Sequence, residues 1–454
     1  MNLLSVSGVL GTVFSVILAL VVLLIMITVH ELGHYLVGKI FKFKINEFAI
    51  GMGPAIYKKK RKNSDEVFSV RALPLGGFCA FEGEDEQSDQ EGAFNSKEPW
   101  KRILVLIAGA TMNLILGIAI LMLSVGLYGQ LLVKTYDIRQ DAQPEYAGYS
   151  LQNDDVIVKV EGKNIFLSSD LINALEGKSK GDVVTVTVKA GGEMVERKVR
   201  LRNDVAVKNL ADNFSAYTAL GISTIERVDE GASDLQGKYL LRLADSDEYD
   251  NCARIFYLSD LISYAKTVNV GEELGFYYSE GGSDRQLKTI IVSEDLSTKS
   301  DSEILSYLGI NKNTTLLKYT TANVKFSFFE TLERGFYYSI SIGGTIFRTL
   351  GELLSGKLGL NAMGGTITTI SVTAEAIKLG GFNYFLEIAG FIGINLAVFN
   401  LLPIPALDGS RVVFCVIEWI RKKPVNRKVE GIIHAVGLVL LLGFSILVDV
   451  LQLF

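Results

Sequence analysis

Cysteine, histidine and one-sided charge are all scarce in this chain, and each scarcity excludes something. Its three cysteines, Cys79, Cys252 and Cys415, are far apart and odd in number. That rules out a disulfide framework and a cysteine-built zinc site, and all three read as packing residues. The formal net charge is only −5, and no stretch interleaves basic with aromatic residues as a nucleic-acid face would, so nucleic acid is not an expected partner. No Lys or Arg precedes Lys39, and no small-residue cleavage site follows the first apolar run. That run also exceeds the roughly 7–15 residues of a signal-peptide core, so it reads as a retained span.

Long apolar runs, in contrast, are present. Val9–Val29, Ile103–Leu127, about Phe385–Leu402 and Gly431–Phe454 are each long enough to cross a hydrocarbon layer of about 30 Å. The mean hydropathy of +0.30 is high for a soluble chain and low for one wholly in lipid, which fits a mixture of spans and soluble modules. Basic residues set the orientation. Lys39, Lys42, Lys44 and Lys58-Lys59-Lys60-Arg61-Lys62 follow the first run, and Arg421, Lys422, Lys423, Arg427 and Lys428 precede the last. Both connections should be cytoplasmic, with the termini and the long middle region outside.

The first run ends in Thr28-Val29-His30-Glu31-Leu32-Gly33-His34, which holds two of the three histidines in the chain. On a helix, His-Glu-x-x-His sets two imidazoles at i and i+4 on one face, where both can ligate zinc, with the glutamate placed as general base. Ionisable groups at membrane depth are costly unless they serve a site, so the motif points to a hydrolytic centre within the membrane. His434 stands alone near the start of the last run and reads as a packed or interfacial residue.

The middle region repeats itself. Ile165-Phe166-Leu167-Ser168-Ser169-Asp170-Leu171-Ile172 recurs as Ile255-Phe256-Tyr257-Leu258-Ser259-Asp260-Leu261-Ile262, and Gly191-Gly192 recurs as Gly281-Gly282. Each unit reads as short strands (Asp155–Val160, Val183–Lys189 and Val195–Leu201 in the first), a short helix after Ser169 and a Gly-Gly hairpin. Ala147–Ile157 resembles the core of bacterial PDZ domains, with Asn153 where a glycine is usual. Two tandem PDZ-like (α+β) domains are expected. The second diverges through an acidic insertion, Asp245–Asp250, and rigid spacers are the alternative reading of both. Asn46–Tyr57 and Glu66–Leu73 alternate like strands and are punctuated by Gly51-Met52-Gly53-Pro54 and Pro74-Leu75-Gly76-Gly77. They predict a small sheet at the cytoplasmic membrane face whose open edge could add a substrate strand. Amphipathic helices are expected over 323–380.

A catalytic zinc needs a third protein ligand and an open position. No further histidine follows at a usable spacing, and the other candidate lies in Asn400-Leu401-Leu402-Pro403-Ile404-Pro405-Ala406-Leu407-Asp408-Gly409. Asp408 is an acid at membrane depth that wants a cation. Asn395 and Asn400 are buried amides that want either a substrate or a helix-packing partner, and the residues alone do not choose between these.

Together these motifs resemble the site-2 protease family, in particular the bacterial regulator-of-sigma-E protease group, over nearly the whole chain. Phe94, Pro99-Trp100-Lys101-Arg102, Gly109 and Asn113 match the same pattern. The resemblance implies a polytopic α-helical membrane protein with four transmembrane helices, a small membrane-associated β-sheet and an external tandem PDZ-like insert. It divides the chain at 1–128, 129–224, 225–322 and 323–454. It further implies zinc held by His30, His34 and Asp408, Glu31 as catalytic acid/base, and Asn395, Asn400, Gly51 and Gly53 at the substrate. The implied substrate is a single-span membrane protein in the bilayer, such as an anti-sigma factor already trimmed outside, with peptide C-termini as further ligands of the PDZ-like domains. Ser410-Arg411 and Met363-Gly364-Gly365-Thr366 depart from the family pattern. A membrane-anchored PDZ adaptor with an inactive site, or a metal transporter, are the rival readings.

Overall fold

A computed structural model describes residues 6–62, 65–84, 88–136, 138, 144–205, 213–281, 284–359 and 364–451; Met363 and Gly282 lie outside these. The chain forms two compact units, Met1–Gln130 with Asn323–Phe454, and Leu131–Ala322. Helix α1 (Val6–Ile40) runs on past the His-Glu-x-x-His motif, so the motif is inside a helix rather than at its end. Strands β1 (Ile45–Lys60) and β2 (Val67–Phe81) follow, and both bend. Ile45–Ile50 pairs with Gly77–Phe81, and Tyr57–Lys60 with Val67–Val70; residues 47–50 also register against 67–70. The two strands thereby supply four segments of one small sheet, with 77–81 and 57–60 at its edges. Gly51, Gly53 and Gly76 stand at the bends with φ of +84°, +82° and +102°, a region open to glycine at little cost. The expected strand Glu66–Leu73 runs on through Gly76 and Gly77 to Phe81, turning at the glycines. Helix α2 (Pro99–Tyr128) opens with Pro99, whose missing N–H costs nothing in a first turn, and closes at Gly129.

The second unit contains two α/β modules. In the first, β3 (Gln130–Lys134), β4 (Val156–Val160), β5 (Lys163–Asn164), β6 (Val183–Ala190) and β7 (Glu193–Arg200) pack over α3 (Ser168–Leu175) and α4 (Phe214–Ala219). Ile157, Leu171, Ile172, Val184, Val186 and Leu201 lie in its core. In the second, β8 (Thr224–Gly231), β9 (Tyr239–Leu243), β10 (Glu273–Ser279), β11 (Gln286–Ile291) and β12 (Ile310–Leu317) form a sheet in the order β11-β10-β9-β8-β12. It packs on α5 (Leu258–Ala265) and α6 (Asp301–Leu308) around Leu240, Leu261, Leu274, Phe276 and Leu308. The sequence repeat has a structural cause. Asp170 Oδ2 accepts the N–H groups of Phe166 and Leu167, and Asp260 Oδ2 those of Phe256 and Tyr257, all at 2.8–2.9 Å. Each aspartate closes the first turn of its helix, the use to which a short acid at a helix start is suited.

Strand β13 (Thr320–Val324) leads to α7 (Phe328–Leu354), α8 (Thr366–Leu401), α9 (Asp408–Arg421) and α10 (Arg427–Leu451). Helix α7 is amphipathic and opens with a Ser327–Glu330 capping box. Helix α8 kinks at Gly381, where φ is +65°. Among the described residues, four helices are long and apolar enough to cross a membrane: Val16–Ile40, Pro99–Tyr128, Gly381–Leu401 and Lys428–Leu451. With several antiparallel sheets, this is the architecture of a membrane protein carrying a β-containing insert. Helices α2 and α8 approach through small residues, as helices in lipid do; a Cβ on Gly117 would come within 2.9 Å of the Gly390 carbonyl oxygen. Arg102 of α2 and Glu418 of α9 form a buried ion pair.

Candidate metal centre

His30 and His34 sit one turn apart on α1, and Asp408 is the first residue of α9. Their ligand atoms form a tight triangle. His30 Nε2 is 2.9 Å from Asp408 Oδ2, His34 Nε2 is 3.3 Å from the same oxygen, and the two ring nitrogens are 3.0 Å apart. Four-coordinate zinc with bonds of about 2.0–2.1 Å has ligand atoms roughly 3.4 Å apart, close to this spacing. The donor set of two imidazoles and a carboxylate therefore fits the ion. It is also the only such group of three among the described residues.

Surrounding groups fix how the donors point. His34 Nδ1 is 2.8 Å from the Val105 carbonyl, so it carries the proton and leaves Nε2 free to ligate. His30 Nδ1 faces two amides, Asn113 at 3.5 Å and Asn400 at 3.4 Å. The buried Asn113 Oδ1 has no partner as oriented. Turning that amide over puts its oxygen opposite His30 Nδ1–H and satisfies both. Close approach of α1 and α2 depends on two glycines. A Cβ on Gly33 would lie 2.4 Å from the Ala108 carbonyl oxygen, and one on Gly109 only 2.5 Å from His34 Nε2.

Asp408 is delivered by a sharp reversal after α8. Ala406 adopts φ +80°, unusual for a residue with a Cβ, and its N–H donates to His434 Nδ1 at 3.1 Å. Gly409 is needed in the same turn, because a Cβ there would stand 2.3 Å from the Leu402 carbonyl oxygen. His434 thus lies outside the triangle and braces the loop that carries Asp408.

Glu31 lines a cavity of about 350 Å³ together with His34, Asp408, Phe78, Cys79 and Arg411. The sheet edge passes directly beside it: the Cys79 backbone N–H reaches the Glu31 carboxyl, and a Cβ on Gly77 would lie 3.5 Å from Glu31 Cγ. Arg411 pairs with Glu84 at the cavity wall. Burial pushes the Cys79 thiol pKa up, which disfavours the reactive thiolate.

Of the other expected site residues, Asn400 reaches the triangle, whereas Asn395 is half-buried on α8 and makes no hydrogen bond to it among the described residues. Gly51 and Gly53 lie at the bend of β1, away from the residues lining the cavity. Sequence reasoning noted Asn113 only as part of a pattern. Its signal was available, because it is a polar residue inside the apolar run of α2.

Comparison with known proteins points to a family of zinc metallopeptidases. Residues 18–444 match the model of peptidase family M50. The chain is 27% identical over 434 residues to a Fusobacterium nucleatum protein named "Putative zinc metalloprotease", covering 95% of this chain and 96% of that one. It is 26% identical over 443 residues to the regulator of sigma E protease of Haemophilus influenzae, covering 94% and 96%. A relative in Clostridium perfringens, again named as a zinc metalloprotease, is 27% identical over 436 residues, covering 96% and 97%. With a hydrolytic metal motif at the centre of the fold and the family model spanning almost all of it, the chain belongs to peptidase family M50, the site-2 proteases.

Proposed function

We propose that this zinc metallopeptidase is an endopeptidase that cuts single-span membrane proteins within or beside their transmembrane segment. The observation that carries the reading is the His30–His34–Asp408 triangle on apolar helices, with Glu31 in the adjoining cavity. Those three residues would hold the zinc, which when bound would supply a Lewis acid to acidify water and polarise a carbonyl. Glu31 takes the proton of the attacking water and returns it to the leaving amine nitrogen. His34, with Nδ1–H tied to the Val105 carbonyl, keeps its ring fixed through the cycle. Asn400 presents its amide to the same His30 nitrogen and is the proposed contact for substrate.

A helical amide is shielded by its own hydrogen bonds, so the substrate has to unwind. The edge 77–81 beside Glu31 offers backbone partners to an extended strand and replaces the bonds lost. Substrates with weak helix formers near the cut are favoured accordingly. The modules of residues 131–322 act, in this reading, as an external PDZ-like pair that screens substrates, admitting those already trimmed outside. Release of a sigma factor from its anti-sigma factor is the process that the Haemophilus relative's name suggests. The His-Glu-x-x-His end of α1 then faces the cytoplasm of a bacterial inner membrane.

The test is cleavage of a tagged single-span protein by purified wild type and Glu31→Gln in detergent, with and without a zinc chelator. Cutting by wild type alone, abolished by the chelator, supports the proposal. Equal cutting by Glu31→Gln would remove it. An adaptor with an inactive site predicts biological function in the Glu31→Gln strain. For the screening role, a variant lacking 136–310 should cut full-length substrate that wild type leaves intact.

A further inference from the structure

The second module contains a cleft of about 480 Å³ that the peptidase chemistry does not use. Its origin is the acidic insertion. In the first module residues 161–164 join β4 to Ile165; in the second, residues 244–254 make the same connection from β9 to Ile255. The longer connection folds back over the sheet. Arg242 holds it there by donating to the carbonyls of Asp250 and Cys252, at 3.1 and 2.5 Å. Cys252 is buried under it, and Tyr249 packs edge-on against Tyr277. The cleft lies between this connection, the starts of β8 and β9, and Tyr136 of the first module.

Despite the acids of the insertion, the cleft is cationic. Arg242, Arg254, Arg285 and Lys318 line it, against Asp250 as the one acid among the described lining residues. Tyr249 is flanked by the Arg242 and Arg285 guanidinium groups at 5.1 and 4.2 Å from its ring centre, and Lys318 lies over Tyr136 at 5.4 Å. Burial, with the Arg254 and Arg242 charges beside it, pushes the Lys318 pKa down to about 8. Four cationic side chains gathered at one cleft favour an anionic ligand there. Among the apolar lining residues Ile225 and Phe256 are half-buried, whereas Leu240 and Ile255 belong to the core beneath them. A small inorganic anion would leave the Ile225 and Phe256 side chains uncovered. A peptide that alternates carboxylate and apolar side chains would cover both, and planar guanidinium forks suit carboxylates.

We infer that this cleft is a binding site for an acidic peptide segment bearing interspersed apolar side chains, read through its side chains rather than through a free C-terminus. The site belongs to the insertion and to β8–β9, not to the helix α5 and strand β12.

Binding of a peptide alternating Asp or Glu with Leu tests this, using the full-length protein in neutral detergent. The peptide is amidated at its C-terminus and labelled with a neutral dye, which removes any contribution from terminal-carboxylate capture. Saturable binding is expected, weakened about tenfold or more by Arg285→Glu, which removes a charge-assisted hydrogen bond and adds a repelling charge. Arg285 is exposed, so the charge reversal leaves the fold intact, and an unchanged melting temperature checks this. The double variant Arg254→Gln/Lys318→Gln should weaken binding as much, and Lys198→Gln on β7 not at all. Equal binding of the peptide with Asn and Gln in place of its acids overturns the inference. So does unchanged binding by Arg285→Glu, and so does complete displacement by micromolar inorganic phosphate, which would mark a general anion site. The readout is binding, and it stands whether or not the protein proves to hydrolyse peptide bonds.

Discussion

Gly109 and His34 are in such close contact that a single added methyl group on the glycine would sit 2.5 Å from His34 Nε2. The backbone of α2 is therefore one wall of the metal centre. Gly109→Ala is expected to push the imidazole aside and to lower zinc affinity by at least about tenfold, with activity falling in step. Zinc titration of the purified variant measures it. Gly343→Ala, in open space on α7, should bind zinc as wild type does.

Asn113 and Asn400 converge on the same His30 ring nitrogen from two helices. Partners of a ligating histidine commonly contribute about 10–100-fold in metal affinity. Asn113→Leu and Asn400→Leu should each weaken zinc binding within that range. If Asn400→Leu held zinc normally and raised only KM, Asn400 would serve substrate alone.

The buried pair between Arg102 and Glu418 ties α2 to the helix that begins with Asp408. Glu418 also accepts the Val425 N–H at 2.9 Å. Breaking a buried pair strands one charge, at a cost of about 3–5 kcal/mol. Arg102→Ala should accordingly lower the detergent melting temperature well below that of Lys101→Ala, whose partner Glu98 is exposed. Equal melting of the two variants would show the pair to be energetically idle.

Glu66 fastens the sheet to α1 by accepting hydrogen bonds from Tyr35 at 2.7 Å and from Lys39. Burial works to raise its pKa, but those hydrogen bonds and the Lys39 and Arg61 charges outweigh it and hold the carboxyl below its ordinary 4.5. A carboxylate with a lower pKa folded than unfolded stabilises the folded state above the unfolded value, and the contribution fades as pH falls below it. Amide exchange in 45–60 and 67–81 should therefore speed up as pH is lowered through and below 4.5, once corrected for intrinsic rates. In Glu66→Gln it should be fast already at neutral pH and lack that step.

Much of this arrangement was legible in the residues because it rests on local rules. Apolar runs marked the four long helices, a fixed spacing marked His30 and His34, and period-two alternation marked the strands. The Asp170 and Asp260 turns were visible as a repeat because each acid bonds within its own few residues. What stayed hidden depends on contacts between distant segments. Nothing near Cys79 announces that its N–H meets Glu31, and nothing near His434 announces that it supports Ala406, 28 residues away. The extension of β2 past Leu73 was hidden for a related reason: glycine at positive φ can end a strand or turn it, and pairing partners far along the chain decide which. The cationic cleft was masked by composition, since the insertion that builds it is itself acidic.

The short edge 77–81 also sets a distance. A residue rises about 1.5 Å along a helix and about 3.3 Å along a strand, so five residues drawn from helix into pairing with that edge lengthen by about 9 Å. On the proposed topology, a substrate anchored on its outer side would have to move that extra length toward the cytoplasm. Unwinding against this edge would then do more than expose a bond: it would carry the far end of the cut segment about a third of the way across a bilayer core of about 30 Å, toward the water into which the product leaves.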